Sequence, residues 1–437
     1  MKKVFSIIIC GAVVAGFTSC KNEEEDIFGE SSALRLNHAV ATYDDLLTSA
    51  ENGWVMEYFA NEEEQGYPML VKFDKSGAVT FAAKNHYSSN DVYATEESLY
   101  EVIADNGPVL SFNSYNTLFH IFADPADIPD TPIEESDETG VGHEGDYEFV
   151  IYEGDADHFV MKGKKHGLGI NMYKLPADQS WDTYYDQIDE IKNSYFSAKI
   201  PTLWLTVGNE RYTITDMSDG LFSFVPEGGD PVSQTVTTPY IVRLDGTVHL
   251  CNAFEGENED LALQNFNLAD DGTLQCVDEG QTANISFGTP VEFFNVSNWR
   301  LDTENSDAAV LDAYNALNAK MRGDGYGNLQ YMQFHYNTIP EKLEVTVRTN
   351  RVNAITYFNY TESNGGASIA FTVDMAAMQA SEEANVQNAV VLYETMPEFK
   401  AMMGMVATSF NIVTESPLRV DAINLEASGY KMVLNLQ

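Results

Sequence analysis

The sequence predicts an α+β protein, mainly antiparallel β-sheets with a few packed helices in two to three domains. Three observations lead there. The chain has 437 residues, more than one ordinary core serves, and 44% of them are hydrophobic, enough to fill several cores. Short apolar runs are separated by turns rich in Gly, Asn and Asp, which is the pattern of hairpins. Isolated stretches of helical spacing interrupt these runs at intervals of about 130 to 150 residues, without a matching sequence repeat.

In chain order, residues 1–19 carry Lys2 and Lys3, the apolar run Val4 to Val14 and a small-residue end, the layout of a removable secretory leader. Phe17-Thr18-Ser19-Cys20 closes it, and a cysteine behind small residues reads as the acceptor of a lipid in bacterial lipoprotein processing. The expectation is a body anchored to a membrane through Cys20 and not spanning it, because no other run approaches the roughly 18 apolar residues a crossing needs. Residues 20–32 follow as an acidic tether opened by Lys21, Glu23, Glu24, Glu25 and Asp26. Fully extended it would reach on the order of 40 Å, enough to clear lipid headgroups.

A first domain is expected over 33–176. Leu34, Leu36, Val40, Tyr43, Leu46, Leu47 and Ala50 recur at approximately helical spacing, and Asn52-Gly53 closes that helix. Trp54 to Phe59 is a strand, and Tyr67–Phe73 with Ala78–Ala82 forms a hairpin around Asp74-Lys75-Ser76-Gly77. Val109–Phe112 and Leu118–Phe122 read as a second strand pair. Between Ala123 and Tyr147 the text is acidic and contains no Lys or Arg; a loop of that length is either mobile or functional. Strands resume at Tyr147–Tyr152, His158–Gly163 and Leu168–Tyr173, the last two joined by Lys164-Lys165-His166-Gly167. A middle β-rich section spans 177–300. It opens with a helix whose Trp181, Tyr184, Tyr185, Ile188, Ile191 and Tyr195 share a stripe, read as core or as a docking face. A C-terminal α+β section spans 301–437, with a helix over Ala308–Met321 and a second helical stretch, Val386–Met405, interrupted at Pro397.

Charge and motif content narrow the function. A formal charge of −43, from 67 Asp+Glu against 24 Lys+Arg, repels phosphate backbones and argues against nucleic acid as a partner. Cys10 leaves with the leader, and once Cys20 is acylated Cys251 and Cys276 remain. An oxidising compartment permits a bridge between them; the alternative is two small buried apolar residues. No zinc-hydrolase motif is present: His143-Glu144 lacks the second His, and His158 with Asp155 or Asp157 would have to meet His143 in space. The Gly-x-Ser-x-Gly elbow, the phosphate-binding loop and the calcium-loop pattern are absent, so no catalytic residue, metal or cofactor is assigned. With 67 acidic residues, some carboxylate pair at glycosidase spacing is expected in any fold and carries no signal. Tyr326, Tyr331 and Tyr336 beside a Gly-rich loop could be exposed and bind a ligand.

Four stretches, Ser49-Ala50-Glu51-Asn52-Gly53-Trp54, Asn106 to Asn116, Gly145 to Val150 and Lys162 to Gly167, resemble in that order a family of uncharacterised Bacteroidetes-type surface lipoproteins known only as a domain of unknown function. The acidic run after Lys21 likewise resembles the surface-export signal of such lipoproteins. The resemblance implies a place on the outer membrane, facing outward, among nutrient-import systems in which a TonB-dependent transporter and a SusD-like lipoprotein are partners. It carries no catalytic residues. The expected function is a non-enzymatic accessory of nutrient binding or import, with a hydrolase of unrecognised type acting on a glycan or peptide, or a surface adhesin, as alternatives.

Overall fold

The computed structural model describes residues 30–124, 142–196, 203–215, 220–256, 261–337, 342–414, 418 and 421–437. Cys20, Lys21 to Asp26, expected from the sequence to act in lipidation and export, and most of the acidic loop lie outside them. Within them the protein is mostly antiparallel β, built on three sheets with eight helices around them. This corrects the α+β expectation. Two of the three sheets close into barrels, an outcome decided by strand pairs too distant in sequence to be read from local pattern.

The first unit begins with helix α1 (Ser32–Ser49), capped by the Ser31 hydroxyl accepting from the Leu34 N–H. Gly53, at φ +80°, turns the chain into the first strand; a Cβ there would meet the Val71 carbonyl at 2.4 Å. Nine strands follow: β1 (Trp54–Tyr58), β2 (Tyr67–Phe73), β3 (Ala78–Ala83), β4 (Ala94–Leu99), β5 (Glu101–Ala104), β6 (Pro108–Ser111), β7 (Glu148–Gly154), β8 (His158–Gly163) and β9 (Gly169–Lys174). Their order in the sheet is β4-β3-β2-β1-β9-β8-β7-β6-β5. Only Tyr100 separates β4 from β5, yet these strands occupy opposite edges, so the sheet must curl almost to closure. The segment after β6 covers the remaining gap: Leu99 N–H donates to Ser114 Oγ, and Asn116 Nδ2 to Ser98 Oγ.

Leu118–Phe122 is not the second strand of a pair. It is a turn and a short 3₁₀ segment that drops Phe119 and Phe122 into the core. There they meet Tyr58, Phe81, Phe112 and Phe149, with Phe81 and Phe119 stacked at 4.9 Å. Helix α1 closes one side of the curl through Leu47, whose carbonyl accepts from Trp54 Nε1 at 2.8 Å.

Helix α2 (His86–Ser89) is a single turn, and α3 (Trp181–Tyr195) joins the first unit to the second. The aromatic stripe of α3 is core: Tyr184, Tyr185, Ile188 and Tyr195 are buried, and the Tyr185 hydroxyl donates to the Ala82 carbonyl. The second unit is a closed barrel of β10 (Leu203–Val207), β11 (Glu210–Thr215), β12 (Leu221–Pro226), β13 (Val236–Val242), β14 (Val248–Phe254), β15 (Leu263–Leu268), β16 (Leu274–Cys276) and β17 (Asn284–Ser286), sealed where β10 pairs with β17. Helix α4 (Pro290–Val296), with a Thr289/Glu292 capping box and Pro at its start, leads to the third unit.

That unit is a second barrel: β18 (Asn298–Asp302), β19 (Leu329–Asn337), β20 (Lys342–Thr349), β21 (Asn353–Ser363), β22 (Ser368–Val373), β23 (Ser409–Thr414), β24 (Ala422–Ala427) and β25 (Tyr430–Leu436), sealed by β18 against β25. It therefore starts at Asn298, slightly before the boundary expected at 301. Helices α5 (Ala308–Gly323), α6 (Met375–Ala380), α7 (Ala384–Thr395) and α8 (Pro397–Val406) pack with it, the break between the last two falling at Pro397. Among the described residues no helix is long and apolar enough to cross a membrane.

Candidate functional site: the seam between the open sheet and the first barrel

Strand β1 is buried on both faces. Trp54, Met56 and Tyr58 fill the first unit's core, whereas Val55, Glu57 and the following Phe59 face the first barrel. The two units come together closely at Gly66, where a Cβ would meet Ile241 at 2.4 Å and Phe59 at 2.6 Å. Burying an unpaired carboxylate in such a seam would cost several kcal/mol, so its ionised form needs a partner. Glu57, 1% exposed, accepts from Arg243 Nε at 2.5 Å and Nη2 at 3.0 Å, a bidentate pair between β1 and the end of β13. Burial works against the guanidinium charge, and the bonds from Glu57 outweigh it, so Arg243 titrates above its ordinary value. Arg243 also lies 4.4 Å over the ring of Tyr173, which stacks on His158 at 4.5 Å.

His249 on β14 extends the network. Its Nε2 faces Asn171 Nδ2 at 3.2 Å and lies 3.7 Å from Glu57 Oε2, while Nδ1 faces Asn265 Oδ1 at 2.8 Å. A neutral ring with its proton on Nδ1 satisfies both amides. Burial pushes this imidazole below its usual range, against the pull of Glu57. Asn265 in turn donates from Nδ2 to Asp278 Oδ1 at 2.7 Å, and the backbone N–H groups of Gln264 and Asn265 donate to Oδ2. Burial alone would raise Asp278; these donors hold it below the usual carboxylate range.

Two cavities meet at Tyr173 and Arg243. One, of about 240 Å³, is largely apolar, with Val55, Leu175, Pro176, Tyr184 and Leu244 in its walls. The other, of about 300 Å³, is polar, with Asn171, Thr247, His249, Gln264 and Asn265 around it and Val277 at its rim. A third cavity of about 270 Å³ lies beside α3, and its Lys84 is paired with Asp186 and Asp189 at 2.8 and 3.1 Å.

The residues singled out by sequence are distributed as follows. Cys251 and Cys276 are free thiols, not a disulfide. They sit on β14 and β16 with β15 between, and the register through Phe266 places them on the order of 10 Å or more apart, beyond the roughly 7 Å a bridge spans. Burial raises both thiols, Cys251 to about 12 and Cys276 to about 11, which makes them inert at neutral pH. His143 and His158 do not meet. Asp155 accepts from the Asp157 and His158 N–H groups as a turn residue, and His143 Nδ1 faces Glu64 at 2.7 Å. Among the described residues no group of three His, Cys, Asp or Glu is placed to hold a metal ion. Tyr331 and Tyr336 lie on opposite faces of β19, half-buried, one under Arg300 and the other against Tyr360.

Three of the four stretches that carry the family resemblance converge instead. Buried Asp146 accepts from the N–H groups of Lys165, His166 and Gly167, Ser111 Oγ donates to Glu148 at 3.3 Å, and Lys164 ties Glu148 to Asp105, just before the Asn106 stretch, at 3.0 and 2.8 Å. These contacts lock one end of the sheet. The seam itself has a sequence signal that pattern reading passes over: Glu57 is the one charged residue of β1, His249 sits among Val248, Leu250 and Cys251, and Arg243 directly follows the apolar run Tyr240-Ile241-Val242.

No curated protein matches the sequence. Among solved structures, the DNA polymerase sliding clamp of Pseudomonas aeruginosa aligns at 10% identity over 93% of this chain and 96% of that one, with a TM-score of 0.11. The beta sliding clamp of C. crescentus aligns at 11% over 92% and 96%, with a TM-score of 0.12. Likeness at that level carries no argument. The family comparison is of another kind, since it spans residues 24–268, the curled sheet and most of the first barrel, and takes in every cleft residue named above except Val277 and Asp278. The chain belongs to the family described as a domain of unknown function, DUF4302.

Proposed function

We propose that this protein is a non-enzymatic surface lipoprotein, held at the outer membrane through Cys20, that binds a small molecule in the seam between its curled sheet and first barrel as an accessory of nutrient import. The observation that carries the binding reading is the pair of cavities meeting at Arg243 and Tyr173. Clefts between units, with a few placed polar groups, are where small ligands are bound. The non-enzymatic reading rests on how those polar groups are used. Both His249 nitrogens are engaged, Glu57 is spent on Arg243, and Asp278 is saturated with donors, so none of these three is poised as a general base. The lipid anchor rests on the sequence around Cys20, and the transporter and SusD-like partners rest on the resemblance.

Two measurements test this. Cys20→Ser should move the protein from the envelope to the soluble fraction; retention in the envelope would sink the anchor. A thermal-shift survey of the full chain against a broad metabolite library should give a stabilising compound, worth about 2.7 kcal/mol at a hundred times its Kd. Val277→Trp, which places bulk at the exposed rim, should abolish that shift. A library without a hit, or hits indifferent to Val277→Trp, would remove the cleft as a binding site.

A further inference from the structure

We infer that the polar chamber beside His249 takes an uncharged, hydroxyl-rich ring, a neutral pyranose; the inference rests on the binding reading above and names its ligand class. Two lines of reasoning lead to it. The first is charge. In a chain of net charge −43, the chamber is a place where charges cancel. Arg243 is neutralised by Glu57 at 2.5 and 3.0 Å, His249 is held neutral between two amides, and Asp278 takes two backbone N–H groups and the Asn265 amide. An anionic ligand would face the field of the whole protein and find no uncommitted cation. A cationic ligand would find the chamber's own carboxylate, Asp278, already spent, with Glu57 given to Arg243 and Asp245 of the adjoining cavity accepting from the Thr247 N–H.

The second line is the set of hydrogen-bonding atoms left over. Among the described residues, Thr247 Oγ, Asn171 Oδ1 and Gln264 Oε1 have no hydrogen-bond partner, although all three residues line the chamber. Asn171 and Gln264 use their NH₂ groups on His249 and on the Leu250 and Cys251 carbonyls, so what they offer a ligand is acceptor oxygen. Arg243 Nη1 is not used on Glu57 and, beside the guanidinium's interaction with the Tyr173 hydroxyl, has an N–H to offer. Two amide oxygens, one hydroxyl and one N–H, fixed by the network behind them, match a molecule that presents several O–H donors and a few acceptors without charge. At about 300 Å³ the site is at the small end of ligand sites and open to solvent on one side, which suits a single seated ring.

The test uses the full chain with a panel of methyl pyranosides of the gluco, galacto, manno and xylo series, read by saturation-transfer NMR and calorimetry. Glucuronate and glucosamine serve as charged counterparts of the same ring. At least one uncharged glycoside should bind, both charged rings should bind at least about tenfold more weakly than the neutral glucoside or not at all, and Thr247→Val should weaken the best ligand about tenfold. Asn171→Ala is the second variant, and an unchanged denaturation midpoint shows that either variant folds. Binding of a charged ring as tight as its neutral counterpart, no binding across the panel, or full affinity in both folded variants would each overturn the ring assignment. The library survey separates this from failure of the cleft itself: a charged metabolite whose shift is lost in Val277→Trp keeps the site and discards the sugar, whereas no hit at all discards both.

Discussion

The curled sheet with its barrel seam and the second barrel bury polar groups of different kinds. On the first side lie Glu57, Asn116, His143, Asp146 and His249 besides the hydroxyls of Ser98, Ser111, Thr238 and Thr247; on the second, the buried polar residues are Ser297, Thr349, Thr356 and Ser368, hydroxyls without charge. The second barrel buries more methionine, with Met321, Met332, Met378, Met396, Met402, Met403 and Met432 against Met56, Met69, Met161 and Met172 on the first side. Unbranched thioethers fill irregular gaps at no electrostatic cost, so that core is a packing solution. Ionisable groups are buried only at a cost, and their concentration on one side marks where the fold sustains that cost for a purpose other than stability.

The largest expected effect tests that asymmetry directly. Glu57→Gln leaves the Arg243 charge in the seam without its counter-ion and should cost about 3–5 kcal/mol of stability. The matched change at the seam between the barrels, Glu292→Gln, breaks the pair with Arg211 at 2.8 Å, but those side chains are 37% and 24% exposed and the cost should be about 1 kcal/mol or less. Denaturant midpoints of the two variants, read by fluorescence, decide it; equal losses would show that the buried pair has no special weight.

Next in size is a cavity cut into the second barrel. Leu317 on α5 is fully buried, and Leu317→Ala should cost about 2–5 kcal/mol while leaving any ligand-induced thermal shift from the seam intact. If ligand binding were lost in this variant under native conditions, the two sides would be coupled and the contrast between them would fail.

A pair of neighbouring residues sharpens the same contrast within the first unit. Asn116, fully buried, accepts from the Leu118 N–H and donates to Ser98, so Asn116→Ala should cost about 1–3 kcal/mol. Tyr115, 61% exposed and resting on the His120 ring at 5.4 Å, should tolerate alanine within about 0.5 kcal/mol. Thermal melts of the two single variants measure both.

How much of this was legible in sequence depends on range. Helices α1, α3 and α5 announce themselves by apolar spacing, and β2 with β3 by the Asp74–Gly77 turn, because both signals are local. Strand β4 is hidden: Ala94-Thr95-Glu96-Glu97-Ser98-Leu99 reads as polar because it is an edge strand with one wet face. Helix α4 carried a readable start, Thr289-Pro290 with Glu292, but is only seven residues long. Closure of the barrels rests on β10 meeting β17 and β18 meeting β25, pairings of strands about 80 and 130 residues apart that no local pattern encodes. The site was unreadable for the same reason. Glu57 and His249 are each visible as an odd residue in a largely apolar run and Arg243 as the charge that follows one, but nothing local shows that the three meet.

The smallest effect is one of pH, and its sign follows from burial. His249 and His120 are both pushed below the unfolded histidine value of about 6.5 by burial, so between that value and their folded values the unfolded chain binds more protons. Stability is therefore full above about pH 6.5 and is lost as pH falls through the folded values. Asp278 and Glu292, held low by their donors, add a second loss only as pH drops below about 4. The imidazole window belongs to the sheet and its seam, where both rings lie. Substituting His249→Gln should flatten part of the slope that sets in below about pH 6.5 in a urea-midpoint titration, with the His120 share remaining, and should leave the loss below about pH 4 unchanged. A slope untouched by that variant would mean that the proton is taken up elsewhere, and that the ring between Asn171 and Asn265 is not held neutral by its surroundings.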